Sequence, residues 1–274
     1  MLRIGWGAAT VSGLENPMLE DHDKSAPAGA QALFRGLAVL DAVARGASSL
    51  ADIGATIGCT RSTTHRLIAA LVQADYLRAL GGSSGGYQLG PRLIELGYQA
   101  RAQMPLAKRA QPHLEQLARH TRDTVHLGVR DGAEVLYIDK LPGSRGLEMR
   151  SRIGLRMPLA LTGIGKSLML DLPENEWLAL YRQGGQQDDA SSWARFREQM
   201  SDYARGGFSF DLEENELGIR CVAAPIREPG GQIVAALSVA SAVPYMPEVR
   251  LQALVPEVIA CANAISAELG WRAS

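Results

Sequence analysis

Between Ser49 and Leu89 the order of helix starts, helix stops and glycines admits few folds. Ser49-Leu50-Ala51-Asp52 has the Ser-x-x-acid form of a capping box and opens a short helix that buries Leu50, Ile53 and Ile57. Gly58 closes that helix, and Thr60 is an N-cap for the next, whose apolar positions are Leu67, Ile68, Leu71 and Val72. Tyr76-Leu77-Arg78-Ala79-Leu80 and Tyr87-Gln88-Leu89 then flank Gly81-Gly82-Ser83-Ser84-Gly85-Gly86, which predicts a β-hairpin with a glycine-rich tip. An earlier helix carries Leu33, Leu37, Leu40 and Val43 and stops at Gly46. Two short helices meeting at Gly58, thinned at Gly54 where the second crosses the first, are the parts of a helix-turn-helix. The hairpin directly behind is its wing.

The second helix of such a unit enters the major groove of DNA with its N-terminus leading. Its leading turns here hold Thr60, Arg61, Ser62, Thr63, His65 and Arg66. Hydroxyls and a helix N-terminus suit phosphate oxygens, and an arginine can fork to guanine or neutralise a phosphate. The whole chain has a net charge of -1, which suits such a partner poorly until it is divided. Residues 30–103 hold seven arginines and no lysine against Asp41, Asp52, Asp75 and Glu95, and so are basic on their own. That footprint is modest. The competing reading is three ordinary bundle helices with solvated arginines, and the hairpin placed immediately after the third helix argues against it.

Residues 1–29 lack periodicity and read as a flexible tail. The winged unit takes residues 30–90, and Pro91 opens a linker helix through Leu93, Leu96 and Tyr98 that ends near 103. Residues 104–274 form a second domain of mixed content. A helix is expected over 105–120. Val125, Leu127 and Val129 alternate before a turn at Asp131-Gly132, with a return strand from Val135 to Ile138. Further strands are expected around 146–150, 207–211, 219–226 and 232–240, with helices at 163–170, 174–182, 191–204 and 247–269. This order gives an α+β fold, an antiparallel sheet with helices on its faces.

Composition narrows the function classes. The longest apolar run is far short of the ~20 residues that span a bilayer, and the N-terminus has no signal-peptide core, so a cytoplasmic protein is expected. The three cysteines, Cys59, Cys221 and Cys261, are widely spaced, which implies neither a disulfide framework nor a metal site. Gly163-Ile164-Gly165-Lys166-Ser167 ends like a phosphate-binding loop, but Ala160 stands where the first glycine is required. Leu168 likewise occupies the third glycine of a dinucleotide fingerprint. Neither a catalytic role nor a cofactor is expected. The alternative is a ligand-binding signalling or enzymatic protein with a helical module that does not bind DNA.

The run LADIGATIGCTRSTTHRLIAALVQADYLR, followed by YQLGPRLIELG, resembles the DNA-binding domain of the IclR family of transcriptional regulators. HLGVRDGAEVLYIDKLPG, MRSRIGLRMPLALTGIGKSLML and GGFSFDLEENELGIRCVAAPIREPGGQIVAALSVA resemble its C-terminal half, so the likeness spans residues 30–270. Thr64 departs from it, standing where an aliphatic residue is usual. The resemblance implies a GAF-like C-terminal domain that binds a small metabolite and changes affinity for operator DNA. It further implies a dimer or tetramer on an inverted repeat, and repression as the commoner mode. Its implied effector pocket is formed at Gly163 and Ile164, with Asp211, Cys221 and Ser238 facing it. Leu147 and Met149 would add an apolar wall, while Thr162-Gly163-Ile164-Gly165 at a helix start offers N–H groups to an anion. The region around MRSRIG is most similar to members that sense sugar-derived acids, with aromatic acids as the alternative; Ala240, where some members have serine, removes one hydrogen bond. Each residue also has an ordinary reading: a buried thiol at Cys221, a cap or turn at Asp211, a structural partner for His126, and solvated surface for Arg150 and Arg152.

Overall fold

The computed structural model describes residues 30–81, 85–102, 105–146, 149–186 and 189–272. The expected tail, the hairpin tip at 82–84, the junction at 103–104 and Leu147 lie outside them. The chain divides into two compact units, Met1–Ala100 and Arg101–Ser274.

In the first unit α1 (Gln31–Ala44), α2 (Leu50–Thr56) and α3 (Arg61–Gln73) enclose Val39, Ala42, Val43, Ile53 and Ile68. The buried stripe of α1 is rotated from the expected one: Leu33 and Leu37 are exposed, and Val39, Ala42 and Val43 turn inward with Leu40 beside them. Ser49 caps α2, accepting from Asp52 N–H at 3.1 Å and donating to the Asp52 carboxylate at 2.6 Å. Gly58 makes the turn at φ +62°. Thr64 is fully buried where α3 crosses α2, and a Cβ on Gly54 would stand 3.1 Å from its hydroxyl oxygen. That hydroxyl donates to the Thr60 carbonyl at 3.0 Å, so a polar side chain sits in an apolar position with its hydrogen bond made inside its own helix. Strands β1 (Leu77–Leu80) and β2 (Gly86–Leu89) pair from Leu77 with Leu89 to Leu80 with Gly86. Tyr87 N–H reaches the Ser48 carbonyl at 2.9 Å, tying the wing to the loop before α2. Helix α4 (Pro91–Ala102) follows.

The second unit opens with α5 (Pro105–Thr121), β3 (Thr124–Asp131) and β4 (Glu134–Leu141). It continues through β5 (Arg156–Pro158), a 3-10 turn at Leu159–Leu161, and helices α6 (Gly163–Leu168), α7 (Glu174–Gln183) and α8 (Ala190–Gly206). Strands β6 (Ser209–Leu212), β7 (Ile219–Arg227) and β8 (Ile233–Ala242) lead to α9 (Glu248–Leu269). The strands form one antiparallel sheet in the order β5-β4-β3-β8-β7-β6. β7 and β8 are buried along nearly their whole length, which requires cover on both faces. Helices α5 and α9 pack against β3, β4, β7 and β8, while α6 lies on the face that presents Cys221 and Ala223.

The strand expected around 146–150 is corrected: Met149 and Arg150 are not in the sheet, and the partner of β4 is β5, with Val135 opposite Met157. The reason is local. The Lys140 ammonium donates to the carbonyls of Met149 at 2.8 Å and Ser151 at 2.5 Å, taking acceptors that a ladder would need. The first hairpin of this unit turns at Gly132-Ala133, one residue later than expected, with Gly132 at φ +64°.

Candidate functional site

Two regions carry the residues singled out from the sequence. On α3, Arg61, Ser62, His65 and Arg66 are exposed, and no acidic residue stands among residues 60–66. Neither arginine makes an ion pair among the described residues. Thr60 and Thr63 are used differently: the Thr60 hydroxyl caps the helix, accepting from Thr63 N–H and donating to the Thr63 hydroxyl at 3.0 Å. They position the leading turn, and the residues after them present it. On the wing, exposed Arg78 stands opposite exposed Gln88, a pairing that the hairpin register creates.

The second region is a cavity of about 50 Å³ in the C-terminal unit. Met149, Gly163, Ile164, Asp211, Cys221 and Ser238 all line it. Strand register explains the convergence: Asp211 on β6 is opposite Cys221 on β7, Cys221 opposite Ala240 on β8, and Ser238 opposite His126 on β3. The start of α6 closes over this floor. It comes so close that a Cβ on Gly163 would stand 2.6 Å from Cys221 Sγ. Burial pushes the Cys221 thiol up, so it remains a neutral, weakly polar wall.

Five further residues line the cavity without having stood out in the sequence: Tyr137, Ser151, Asn215, Glu216 and Ile219. His126, expected to be structural, lines the cavity with its Nε2 2.7 Å from Ser151 Oγ; its place opposite Ser238 follows from pairing that no single strand reveals. Arg150 and Arg152 are exposed, with Arg150 near Glu216 at 3.6 Å. Lys166 is fully buried, donating to the Phe210 carbonyl at 3.0 Å and the Glu214 carboxylate at 2.5 Å. It serves the fold of the β6–β7 loop and is turned away from any phosphate role.

Two titrating groups on this floor respond to pH in opposite ways. Burial pushes the Asp211 carboxyl up to about 7, with the charge of Glu214 adding and that of Lys166 opposing. Burial lowers the His126 imidazole to about 3, with the Lys140 ammonium contributing. Asp211 therefore favours the fold when protonated, and its contribution is lost as pH rises through its folded value. His126 favours the fold when neutral, and its contribution is lost as pH falls below its ordinary value of 6.5. Between about pH 4 and 6.5 the native state keeps a proton on Asp211 and refuses one on His126, so the two slopes cancel. Substitution uncovers them. Relative to the parent, Asp211→Asn loses stability on acidification and His126→Gln loses it as pH rises, each by up to about 1.4 kcal/mol per pH unit. Urea denaturation of both variants across that interval measures the slopes, and profiles parallel to the parent would remove the assignment.

A winged helix-turn-helix with an exposed cationic leading turn, on one chain with a cavity-bearing antiparallel-sheet domain, is the build of a helix-turn-helix transcriptional regulator. Comparison with known proteins specifies which. The IclR helix-turn-helix domain model matches residues 32–81, and that of the bacterial transcriptional regulator IclR C-terminal domain matches residues 98–267. The chain is 32% identical over 256 residues to the regulator XynR of Escherichia coli (strain K12), covering 89% of this chain and 98% of that one. It is 29% identical over 274 residues to the transcriptional repressor YiaJ of the same strain, covering 97% and 96%. Among solved structures, Thermotoga maritima IclR superposes with a TM-score of 0.69 at 27% identity, covering 87% and 98%. An IclR homolog of Microbacterium hydrocarbonoxydans, complexed with 4-hydroxybenzoate, shares the fold with a TM-score of 0.72 at 24% identity, covering 87% and 99%. The chain belongs to the IclR family of bacterial transcriptional regulators. Among the described residues no helix is long and apolar enough to cross a membrane.

Proposed function

We propose that this regulator is a cytoplasmic, non-enzymatic repressor that binds an inverted-repeat operator as a dimer or tetramer and responds to a small organic acid. In this reading residues 30–90 bind DNA, 91–103 link, and 104–274 bind the effector and assemble the oligomer. Arg61, Ser62, His65 and Arg66 meet the groove and backbone, with Thr60 and Thr63 setting the helix start. Met149, Gly163, Ile164, Asp211, Cys221 and Ser238 hold the effector, joined by Leu147. Effector occupancy changes operator affinity only so far as the two arrangements of the heads bind effector unequally, a coupling typically worth about 5- to 150-fold.

The observation that carries the reading is the bare cationic leading turn of α3 on a chain whose other unit encloses a cavity lined by both apolar and polar side chains. The repressor named among the relatives supports the sign of regulation, and the resemblance of the sequence around MRSRIG to members that sense sugar-derived acids favours those over aromatic acids. A thermal-shift screen of organic acids, then binding to duplexes from the protein's own genomic surroundings, tests it. We expect at least one acid to raise the melting temperature and to alter affinity for one such duplex. Equal affinity for those duplexes and for random sequence, with every stabilising acid tried, contradicts the proposal.

A further inference from the structure

Segment 149–153 runs outside the sheet and is shared by two hollows. Met149 and Ser151 line the cavity, and with Lys140, Arg150, Arg152 and Ile153 they also line an open groove of about 670 Å³. The cavity alone, at about 50 Å³, has room for only a few atoms, whereas pockets that hold organic ligands usually measure about 300–1,000 Å³. A larger acid seated in the cavity must extend beyond it, and the groove adjoins it through the two shared residues.

The groove is cationic: its lining includes Lys140, Arg150 and Arg152 and no acid. Arg150 stands 3.6 Å from Glu216, but neither Lys140 nor Arg152 makes an ion pair among the described residues. Other arginines of this unit meet acids, Arg156 at Asp131 and Arg227 at Asp171. Two unmatched cations lining one groove are more than ordinary solvated surface. Lys140 belongs to the shared wall: its ammonium uses two of three N–H groups on the carbonyls of Met149 and Ser151 and keeps one. Its charge reaches the cavity side, where it helps burial to keep the His126 imidazole neutral. At the start of α6, by contrast, Gly163 N–H is engaged by the Cys221 sulfur and Gly165 N–H by the Thr162 hydroxyl at 2.9 Å.

We propose that Lys140 and Arg152 form the carboxylate subsite of the effector, which lies in the groove with its uncharged end passing Met149 and Ser151 into the cavity. The inference rests on the reading of the cavity as the effector site. Isothermal titration of the full chain with pairs that differ only in charge tests it: gluconate against gluconamide, and 4-hydroxybenzoate against 4-hydroxybenzamide. In at least one pair the parent protein binds the acid about tenfold or more tightly than the amide, as hydrogen bonds to a charged group require. Arg152→Gln reduces that preference to about threefold or less, and so does Lys140→Gln, which retains an N–H donor for the wall. Arg152→Lys keeps most of it. Arg195→Gln removes the same charge from exposed α8 and leaves it unchanged. Raising the salt from about 0.05 to 0.5 M weakens binding of the acid and not of the amide, because the groove is open to solvent.

An acid preference absent from the parent, or surviving in either glutamine variant, overturns the inference. Ala240→Val, which crowds the cavity floor, separates the subsite from the cavity, and a melting curve shows that this variant is folded. If it abolishes binding of acids and amides alike while Arg152→Gln leaves the preference intact, the cavity is the effector site and the groove does not read charge. If the acids bind Ala240→Val as they bind the parent, the cavity is not the effector site and both readings fall.

Discussion

Joint replacement of Arg61 and Arg66 by alanine lowers affinity for the operator duplex by about a hundredfold or more and leaves effector affinity unchanged. Each arginine that meets the groove or a phosphate contributes about 1–3 kcal/mol, and every operator-bound pair of heads would lose both. Both side chains are exposed on the leading turns, away from the core at Ile53, Ile68 and Leu77, so the fold does not depend on them. The salt dependence distinguishes groove binding from general attraction: the slope of log affinity against log salt becomes shallower by about one for each phosphate no longer neutralised. Fluorescence anisotropy on a labelled duplex over a salt series reads both quantities. Unaltered affinity and slope would mean that α3 does not face DNA.

Gly165→Ala destabilises the C-terminal unit by about 3 kcal/mol or more. A Cβ there would stand 2.1 Å from the Leu159 carbonyl oxygen and 2.5 Å from its Cα, so backbone must move. Every residue of α6 is buried, and Gly163 already touches Cys221, which leaves the helix no direction in which to retreat. Gly97→Ala is the matched control: it lies in α4 with open space around it, where alanine is favoured over glycine by about 1 kcal/mol. Urea denaturation of the two variants measures the contrast. Equal midpoints would show that α6 is not wedged against the turn before it.

The first unit is legible in the sequence because its signals are local. Capping residues, Gly58 and the paired hairpin segments each act within a few positions, and together they allow one arrangement. The α1 stripe is ambiguous for a related reason: Leu33, Leu37, Leu40 and Val43 obey helical spacing, as do Val39, Ala42 and Val43, and only the neighbouring helices decide which stripe is covered. In the second unit, β7 and β8 are buried on both faces, so CVAAPI and AALSVA lack the alternation that marks a strand with one wet face. Only the flanking turns mark them as strands. Strand β5 has three residues and little periodicity to offer.

Leu147 apart, the pocket residues that the family resemblance implies converge on one cavity. Backbone pairing across β6, β7, β8 and β3 is what brings them together, and pairing is invisible along a single strand. His126 illustrates the limit: read alone it is a strand histidine, and read opposite Ser238 it is part of the floor. The segment Thr162-Gly163-Ile164-Gly165 is read from the sequence as offering N–H groups to an anion, but Gly165 N–H is taken by the Thr162 hydroxyl, and the neighbours that come close to the two glycines are the Cys221 sulfur and the Leu159 backbone. Asn215 gives no signal, since a loop asparagine looks like any other until its surroundings are known.

Asp211 belongs to β6, the last strand of the sheet, joined to a single neighbour through four residue pairs. Ser238 belongs to β8, which has a ladder on either side. A molecule pulling on the two walls therefore meets unequal stiffness. The serine side is anchored between two ladders in the middle of the sheet, whereas the aspartate side is held by one ladder and by the bonds of Ser209 and Phe210 to α6. In the proposed reading, a displacement on binding falls on the margin of the domain, at Asp211 and at Glu214 with its buried partner Lys166, while the central strands form the fixed frame.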